Sequence, residues 1–588
     1  MLKLLRRMRS LELSMLLGIA VFVWSEVWLE LRMPGYMSTI TRLVQTPGSQ
    51  LSEIWKAGGM MLLCAFGSMV TAIVTGYFCA RLSAVFSHRL RREVFHRVED
   101  YSLEEIGRFS TASLITRSTN DVQQMQMFLA MGSQMLLRVP VTVVIALSKI
   151  YGKAWQWTTA TAVGLAIAIS TLMFIIIVCT PKFRIVQTLT DNLNRVTREN
   201  LTGLRVVRAY NAVNYQETKF ENANTKLMKT SLFTSRASAI MHPIMQTMMS
   251  GLSLSIYWIG ASLINAAAGP EKIVLFSDMV VFSTYAMQLI MSFMSIGMIF
   301  TFLPRVMVSA KRINEVLETE PSVHDGTRTV PDDAVKGTVE FRNVSFRYPG
   351  SETSEAILEN ISFVAESGKT TAIIGATGSG KSTLLNLIPR FYDATEGTIL
   401  FDGIDVKELT LEDLHNRIGY ASQKAQLFFG TVKSNVGFGD NGKGPVTEEQ
   451  VRKAIEIAQA AEFVDQMDGG LNGAISQNGA NVSGGQKQRL SIARAVARQP
   501  EVYLFDDTFS ALDYKTDRVL RTELKRQTAG VTSIIVAQRI GTIRDADQIL
   551  VIDEGKLVGK GTHDELMKTC EIYQEIAYSQ LSREELGA

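Results

Sequence analysis

Six apolar runs, near 12–32, 57–80, 129–149, 155–179, 239–267 and 274–302, occupy the first half of the chain. The second half, 337–588, alternates short apolar strands with amphipathic helical stretches. About 20 apolar residues are needed to cross about 30 Å of hydrocarbon, so the pattern predicts six membrane-spanning helices. The third is the weakest, because Arg138 and Lys149 interrupt it; Arg138 is expected to face a polar interior and Lys149 to snorkel. Glu26, Glu30 and Asp278 also sit within or beside spans, where a charge is costly unless it faces water or a cavity, which suits either an interface position or a substrate site.

The connections 81–128 and 180–238 are long, poor in Pro and Gly, and basic, with Arg81, Arg89, Arg91, Arg92 and Arg97 in one and Lys182, Arg184, Arg195, Arg198, Arg205 and Arg208 in the other. Basic excess marks the cytoplasmic side, which predicts both termini and both long connections inside, the latter as continuations of the membrane helices. The start, MLKLLRRMRS, reads as a short amphipathic helix on the membrane surface rather than a cleavable signal. Pro243 is expected to kink the fifth span. Met241, Met245, Met248 and Met249 in the fifth span and Met279, Met287, Met291, Met294 and Met298 in the sixth suit either packing or an adaptable apolar binding surface.

These readings divide the chain into a membrane domain at 1–310, a polar linker at 311–336 (Pro321, Asp325, Gly326, Pro331, Asp332) and a soluble domain at 337–588. A length of 588 residues exceeds what one core supports. The net charge of +3 is too mild to imply a nucleic-acid partner. Cys64, Cys79, Cys179 and Cys570 show neither metal spacing nor a paired framework.

The chemistry lies in the soluble part. Strands are predicted at 338–347 and 370–375, and GATGSGKST (375–383) follows the second directly, ahead of the apolar helix LLNLI. G-x-x-x-x-G-K-[ST] between a strand and a helix is a phosphate-binding loop. The backbone amides of Gly375, Gly378, Ser379 and Gly380 can curl round phosphates, Lys381 reaches the β- and γ-phosphates, and Ser382 with Thr383 opens the helix, the Ser382 hydroxyl taking a Mg²⁺ position. Mg²⁺ also needs a carboxylate from a neighbouring strand, and VYLFD (502–506) supplies Asp506, in contact with the ion or one shell further out. At this point any ATP-binding NTPase would fit.

The stretch NVSGGQKQRLSIARAV (481–496) narrows the choice, because it resembles the signature motif of ATP-binding cassette (ABC) transporters. Tyr348 in FRYPG sits where that family stacks a ring on adenine, Gln423 in YASQKAQLF resembles the Q-loop glutamine that touches Mg²⁺, and SALD (510–513) resembles the D-loop. TASLITRSTNDV (111–122), ENLTGLRVVRAY (199–210) and SAKRINEVLE (309–318) resemble the intracellular segments of exporter half-transporters. The resemblance implies an all-α six-helix transmembrane domain followed by an α/β P-loop nucleotide-binding domain with an antiparallel β subdomain. It implies coupling helices near 103–110 and 208–215. It further implies that Ser483, Gly484, Gly485 and Gln486 close over the nucleotide of a second cassette, so that the working unit is a dimer.

Two positions depart from the family pattern. The residue after Asp506 is Asp507, where hydrolysing members carry glutamate, and it draws the carboxylate back by about 1.5 Å, one C–C bond. General-base work demands hydrogen-bond reach, and misplacement on this scale can cost about 10²-fold. In VAQRIGTI (536–543) Gln538 replaces the switch histidine, and an amide can donate to phosphate but neither carries positive charge nor shuttles a proton. The segment ISQNGANV (475–482) also lacks the acidic residue usual before the signature. The resemblance therefore points to an ATP-driven exporter of hydrophobic or amphipathic compounds, of multidrug or lipid type, in a bacterial plasma membrane. The chain would form the poorly hydrolysing half of a heterodimer. A homodimeric multidrug exporter, a peptide exporter half, an ATP-gated channel-like protein and a membrane-anchored NTPase remain as alternatives.

Overall fold

The structure, a computed structural model, describes residues 1–46, 48–269, 271–331, 336–349 and 356–580. Asp332 and the side chains of Met241 and Met298 lie outside that description. Backbone proximity divides the chain into two units, Met1–Val98 with Ala112–Thr319, and Glu99–Thr111 with Glu320–Ala588.

The first unit is helical throughout. Among the described residues, Ser10–Gln45, Leu51–Glu99, Thr111–Ile150, Pro243–Ala266 and Glu271–Ser295 are long and apolar enough to span a membrane. The span expected at 155–179 falls within the continuous helix Trp155–Thr202, where the side chains at 172, 175 and 176 lie outside the description. The 49-residue helix Leu51–Glu99 is about 70 Å long at 1.5 Å per residue, more than twice the hydrocarbon thickness, so it must continue well beyond the bilayer. Helices Val213–Ala266 and Glu271–Glu318 are comparably long. The former passes uninterrupted through Pro243, and the latter runs on through 311–318, residues read from sequence as linker.

Side chains four apart on Ser10–Glu30 (Met15, Ile19, Val23, Val27) are buried with Trp157, Ile256, Phe282, Ala286 and Leu289 in one core, while Leu17 and Val21 on the opposite face stay exposed. That inversion of apolar exposure suits a lipid surround. The surface helix expected at the N-terminus reduces to the turn Leu2–Arg6, whose Leu4 is fully buried and whose Lys3 pairs with Glu318 at 2.9 Å. The second short intracellular helix occupies Leu204–Ala209 rather than 208–215, because the chain turns at Asn211 with φ of +55° before the next helix starts at Val213.

The second unit holds two main sheets. The larger orders its strands Lys556–Gly561, Gln548–Asp553, Thr370–Ile374, Thr532–Val536, Val502–Asp506 and Ile418–Ala421. All neighbours are parallel except the edge strand Lys556–Gly561. The smaller sheet, Leu358–Ala365, Val339–Phe346, Glu396–Phe401 and Ile404–Asp405, is antiparallel throughout. The central parallel strands read TTAII, TSIIV and VYLFD, apolar runs buried on both faces, as strands covered by helices on each side must be. Residues Glu99–Thr111, read from sequence as membrane domain, belong to this unit. Ser102 caps the short helix Leu103–Phe109, and Glu105 accepts the backbone amide of Ser322 at 3.0 Å.

Candidate functional site

Parallel strands deliver their C-terminal ends to one edge of a sheet, where open α/β folds place ligands. Here four segments leave that edge together: Gly375 after Ile374, Asp507 after Asp506, Gln538 after Val536, and Gln423 after Ala421. Register fixes their level, since Val536 lies beside both Asp506 and Ile373, and Ala421 beside Phe505.

The first segment makes a cradle. Gly378 and Gly380 have φ of +86° and +98°, conformations natural to glycine, and a Cβ on Gly380 would meet Leu358 Cδ2 at 2.8 Å and Ile357 O at 2.9 Å. Helix Lys381–Leu387 begins directly after this loop. Lys381 is buried and folds back, its ammonium donating to the carbonyls of Gly375 at 3.0 Å and Ala376 at 2.6 Å and reaching Ser379 Oγ at 3.4 Å. Burial holds its pKa below the usual lysine range, against the pull of Asp507 and Asp506. Ser382 donates to Asp506 Oδ1 at 2.8 Å. Thr383 exchanges a hydrogen bond with the Tyr348 hydroxyl at 3.0 Å, and Tyr348 stands edge-on to Phe346 and Tyr392.

The two acids diverge in environment. Asp506 closes its strand as a regular β residue. Asp507 adopts φ of +46°, left-handed backbone, with its amide donating to Val536 O at 2.9 Å. Its Oδ2 accepts the Gln538 amide at 2.9 Å and the Gln423 amide at 3.4 Å. Burial raises the pKa of both carboxyls, more than Ser382 lowers that of Asp506 or Gln423 and Ser510 lower that of Asp507. The edge therefore gathers Gln423, Asp507 and Gln538 into one network, beside the pair Ser382–Asp506.

The signature residues stand elsewhere. Ser483 is the N-cap of helix Gly484–Ala497, its hydroxyl accepting the Gln486 amide at 3.3 Å while Gln486 Oε1 accepts the Ser483 amide at 2.8 Å. Gly484 has open space around its Cβ position and Gly485 has Ala511 O at 3.4 Å. Among the described residues, no hydrogen bond joins Ser483–Gln486 to Gly375–Thr383.

Sequence reasoning missed one participant, Gln580, the last residue of helix Glu571–Gln580. Its amide donates to Gln538 O at 2.7 Å and its Oε1 accepts the Ile540 amide at 2.9 Å. No motif surrounds it, so only the fold could reveal it.

Comparison with known proteins agrees with this architecture. Residues 15–293 match the family described as the ABC transporter transmembrane region, and 358–510 match that described as ABC transporter. The chain is 39% identical to an uncharacterized ABC transporter ATP-binding protein of Mycobacterium tuberculosis, over 89% of this chain and 87% of that one. It is 34% identical to an uncharacterized ABC transporter ATP-binding protein of Bacillus subtilis, over 97% of each. An ATP-dependent lipid A-core flippase of Pseudomonas aeruginosa is 31% identical over 86% of this chain and 82% of its own length. The solved structure of a bacterial Atm1-family ABC exporter with ATP bound superposes with a TM-score of 0.78 at 22% identity, covering 96% of this chain and 99% of that one. The chain thus belongs to the ABC transporter family, as a multi-pass membrane protein whose ATP-binding ATPase region is fused to its membrane region.

Proposed function

We propose that this chain drives export of a hydrophobic or amphipathic compound, lipid-like in character, across a bacterial plasma membrane. It does so as one half of a heterodimer, and its own nucleotide site holds ATP while hydrolysing it slowly. The observation that carries the slow-site reading is the Gln538–Asp507 hydrogen bond at 2.9 Å. The carboxylate in the water-activating position is short, and its Oδ2 is occupied by an uncharged amide from the switch position. A base drawn back by one bond, with Oδ2 already accepting two amides and no proton-carrying neighbour, is poorly placed to activate a water.

The binding half of the site supports retention of ATP. Lys381 and Ser382 have the chemistry to meet the terminal phosphates, and Tyr348, 37% exposed, offers a ring to the base. Mg²⁺ fits the donor set, because the Ser382 hydroxyl, the Asp506 carboxylate and the Gln423 amide are hard oxygen ligands on one sheet edge. When bound, it would neutralise charge on the β- and γ-phosphates. The outward-facing cap of Ser483, Gly484, Gly485 and Gln486 supports a role on the nucleotide of a partner half-transporter.

For the substrate, the support is an apolar cleft of about 930 Å³ between Trp155–Ile167 and Pro243–Ile259, lined by Ala160, Val163, Met248 and Leu252 with Thr159 and Ser255 as polar edges. Its size suits a drug- or lipid-sized molecule. The name of the flippase relatives favours the lipid end of that range. ATP hydrolysis by the full chain, purified alone and with its co-purifying half-transporter, tests the proposal. Slow turnover alone and fast, substrate-stimulated turnover in the pair is the expected outcome. Rapid hydrolysis by the lone chain would remove the slow-site assignment and leave the homodimeric exporter.

A further inference from the structure

Gln538 is held from both ends. Its side chain donates to Asp507, and its backbone carbonyl is gripped by Gln580 from the C-terminal helix. The same Gln580 carboxamide accepts the amide of Ile540, so it bridges the backbone on either side of Arg539 in a two-point bracket. Helix Ile540–Ile543 starts at that point and has no side-chain cap of its own, which leaves Gln580 to satisfy its first exposed amide. The bracket is anchored. Ile540 and Ile543 share a fully buried core with Tyr573 and Ala577, and the Tyr573 hydroxyl meets His563 Nδ1 at 2.8 Å. The body of the helix is thus fixed against Ile540 and Ile543, and its exposed residue Gln580 adds the hydrogen bonds to the backbone on either side of Arg539.

We propose that Gln580 is a positioning residue for the nucleotide site: by clamping the backbone at Gln538 and Ile540 it holds the Gln538 side chain toward Asp507 and the terminal phosphate, and so slows escape of bound ATP. This rests on the reading of Gln538 as the residue that meets that phosphate. Release of the grip lets the segment rotate about Arg539, whose own tie, to Ser510 O, is long at 3.4 Å.

The test uses the full-length chain in lipid nanodiscs and the dissociation rate of radiolabelled MgATP. Two hydrogen bonds of ordinary net worth predict about tenfold faster release from Gln580→Ala. Gln580→Glu keeps the acceptor for Ile540 but loses the donor to Gln538 O, so its rate should fall between. The deciding measurement is the pair with Gln538→Ala. A positioning role predicts that Gln580→Ala adds nothing once Gln538 is gone, whereas a merely structural role predicts that the two effects multiply. Multiplying effects, or wild-type release from Gln580→Ala beside fast release from Gln538→Ala, overturn the clamp alone. Wild-type release from Gln538→Ala overturns the underlying reading of the switch as well.

Discussion

Two clusters, one in each unit, set a pair of carboxylates near one cation, and they arrange them in opposite ways. In the membrane unit, Arg138 binds Glu26 at 2.5 Å through one nitrogen and Glu30 at 2.6 Å through another, with Gln288 adding a bond to Glu30 at 3.4 Å. The acids lie one helical turn apart, so a single forked guanidinium spans both. In the nucleotide unit, Lys381 turns away from Asp506 and Asp507 and spends its donors on loop carbonyls and a hydroxyl, while the acids take a serine hydroxyl and two amides. The first cluster pairs its acids with its own cation, leaving Glu26 Oε2 buried without a partner. In the second the cation makes no direct bond to either acid, an arrangement that burial makes costly and that a polyphosphate with its cation would relieve. Structural ions meet each other; site ions wait for a ligand.

The largest effect expected from this contrast is in the matched cluster. Arg138→Met strands buried Glu26 and partly exposed Glu30; with Arg138 itself 38% exposed, the loss should be about 1–3 kcal/mol, below the roughly 3–5 kcal/mol of a fully buried pair. Thermal unfolding of the full chain in detergent should show this loss, whereas Glu30→Gln, which leaves Arg138 paired with Glu26, should cost far less. Equal effects from the two changes would mean that the cluster is not held by charge.

The unmatched cluster should respond in activity instead of stability. Asp507→Glu with Gln538→His restores carboxylate reach and a proton-carrying neighbour, and hydrolysis by the lone chain should rise by about 10²-fold. Turnover that stays at the starting level with ATP still bound would show that these two side chains are not what limits it. Lys381→Ala removes the cation without touching either acid. A charge-assisted contact of about 1.5–3 kcal/mol makes ATP bind roughly 10- to 10²-fold more weakly, readable by nucleotide titration. Unchanged affinity would place the phosphates away from this loop.

How much of this was legible beforehand depends on whether the cause is local. The apolar runs could be read because lipid-facing side chains such as Leu17, 69% exposed, and core side chains such as Ile19 are alike apolar. The phosphate loop could be read because its curvature is written in closely spaced glycines, Gly375, Gly378 and Gly380. The reach of Glu26 and Glu30 to Arg138, more than a hundred positions away, is set by helix packing that no local pattern encodes. Likewise Lys153, in the turn after helix Ser133–Ile150, and Arg42, on helix Met33–Gln45, converge on Asp278. The grouping of Glu99–Thr111 with the second unit is accompanied by polar contacts of Ser102 and Glu105 with Ser322, which sequence shows only as ordinary polar residues. Gln580 is the extreme case, an unremarked glutamine whose whole significance is where the fold puts it.

A third arrangement, a buried carboxylate with no cation in contact, gives the smallest and most diagnostic test. Asp402 sits at φ of +49° with Oδ1 accepting the Thr338 amide at 2.6 Å and Oδ2 buried without a partner. Burial, with the nearby Glu501 charge adding to it, pushes its pKa up from 3.8 to about 6, against the Thr338 amide and Arg417. In the unfolded chain the carboxyl titrates near 3.9. Between about pH 4 and pH 6 the folded state therefore holds a proton that the unfolded state has lost, so stability falls as pH rises through that window. Asp402→Asn keeps the acceptor for Thr338, tolerates the left-handed backbone and removes the charge. The variant should outlast the wild type by about 1–2 kcal/mol at pH 7.5, with the advantage gone at pH 4, measured as paired unfolding midpoints of the full chain at the two pH values. An advantage of equal size at both would assign the gain to backbone preference rather than to charge. It would also show that this acid, unlike Asp506 and Asp507, carries no unmet charge.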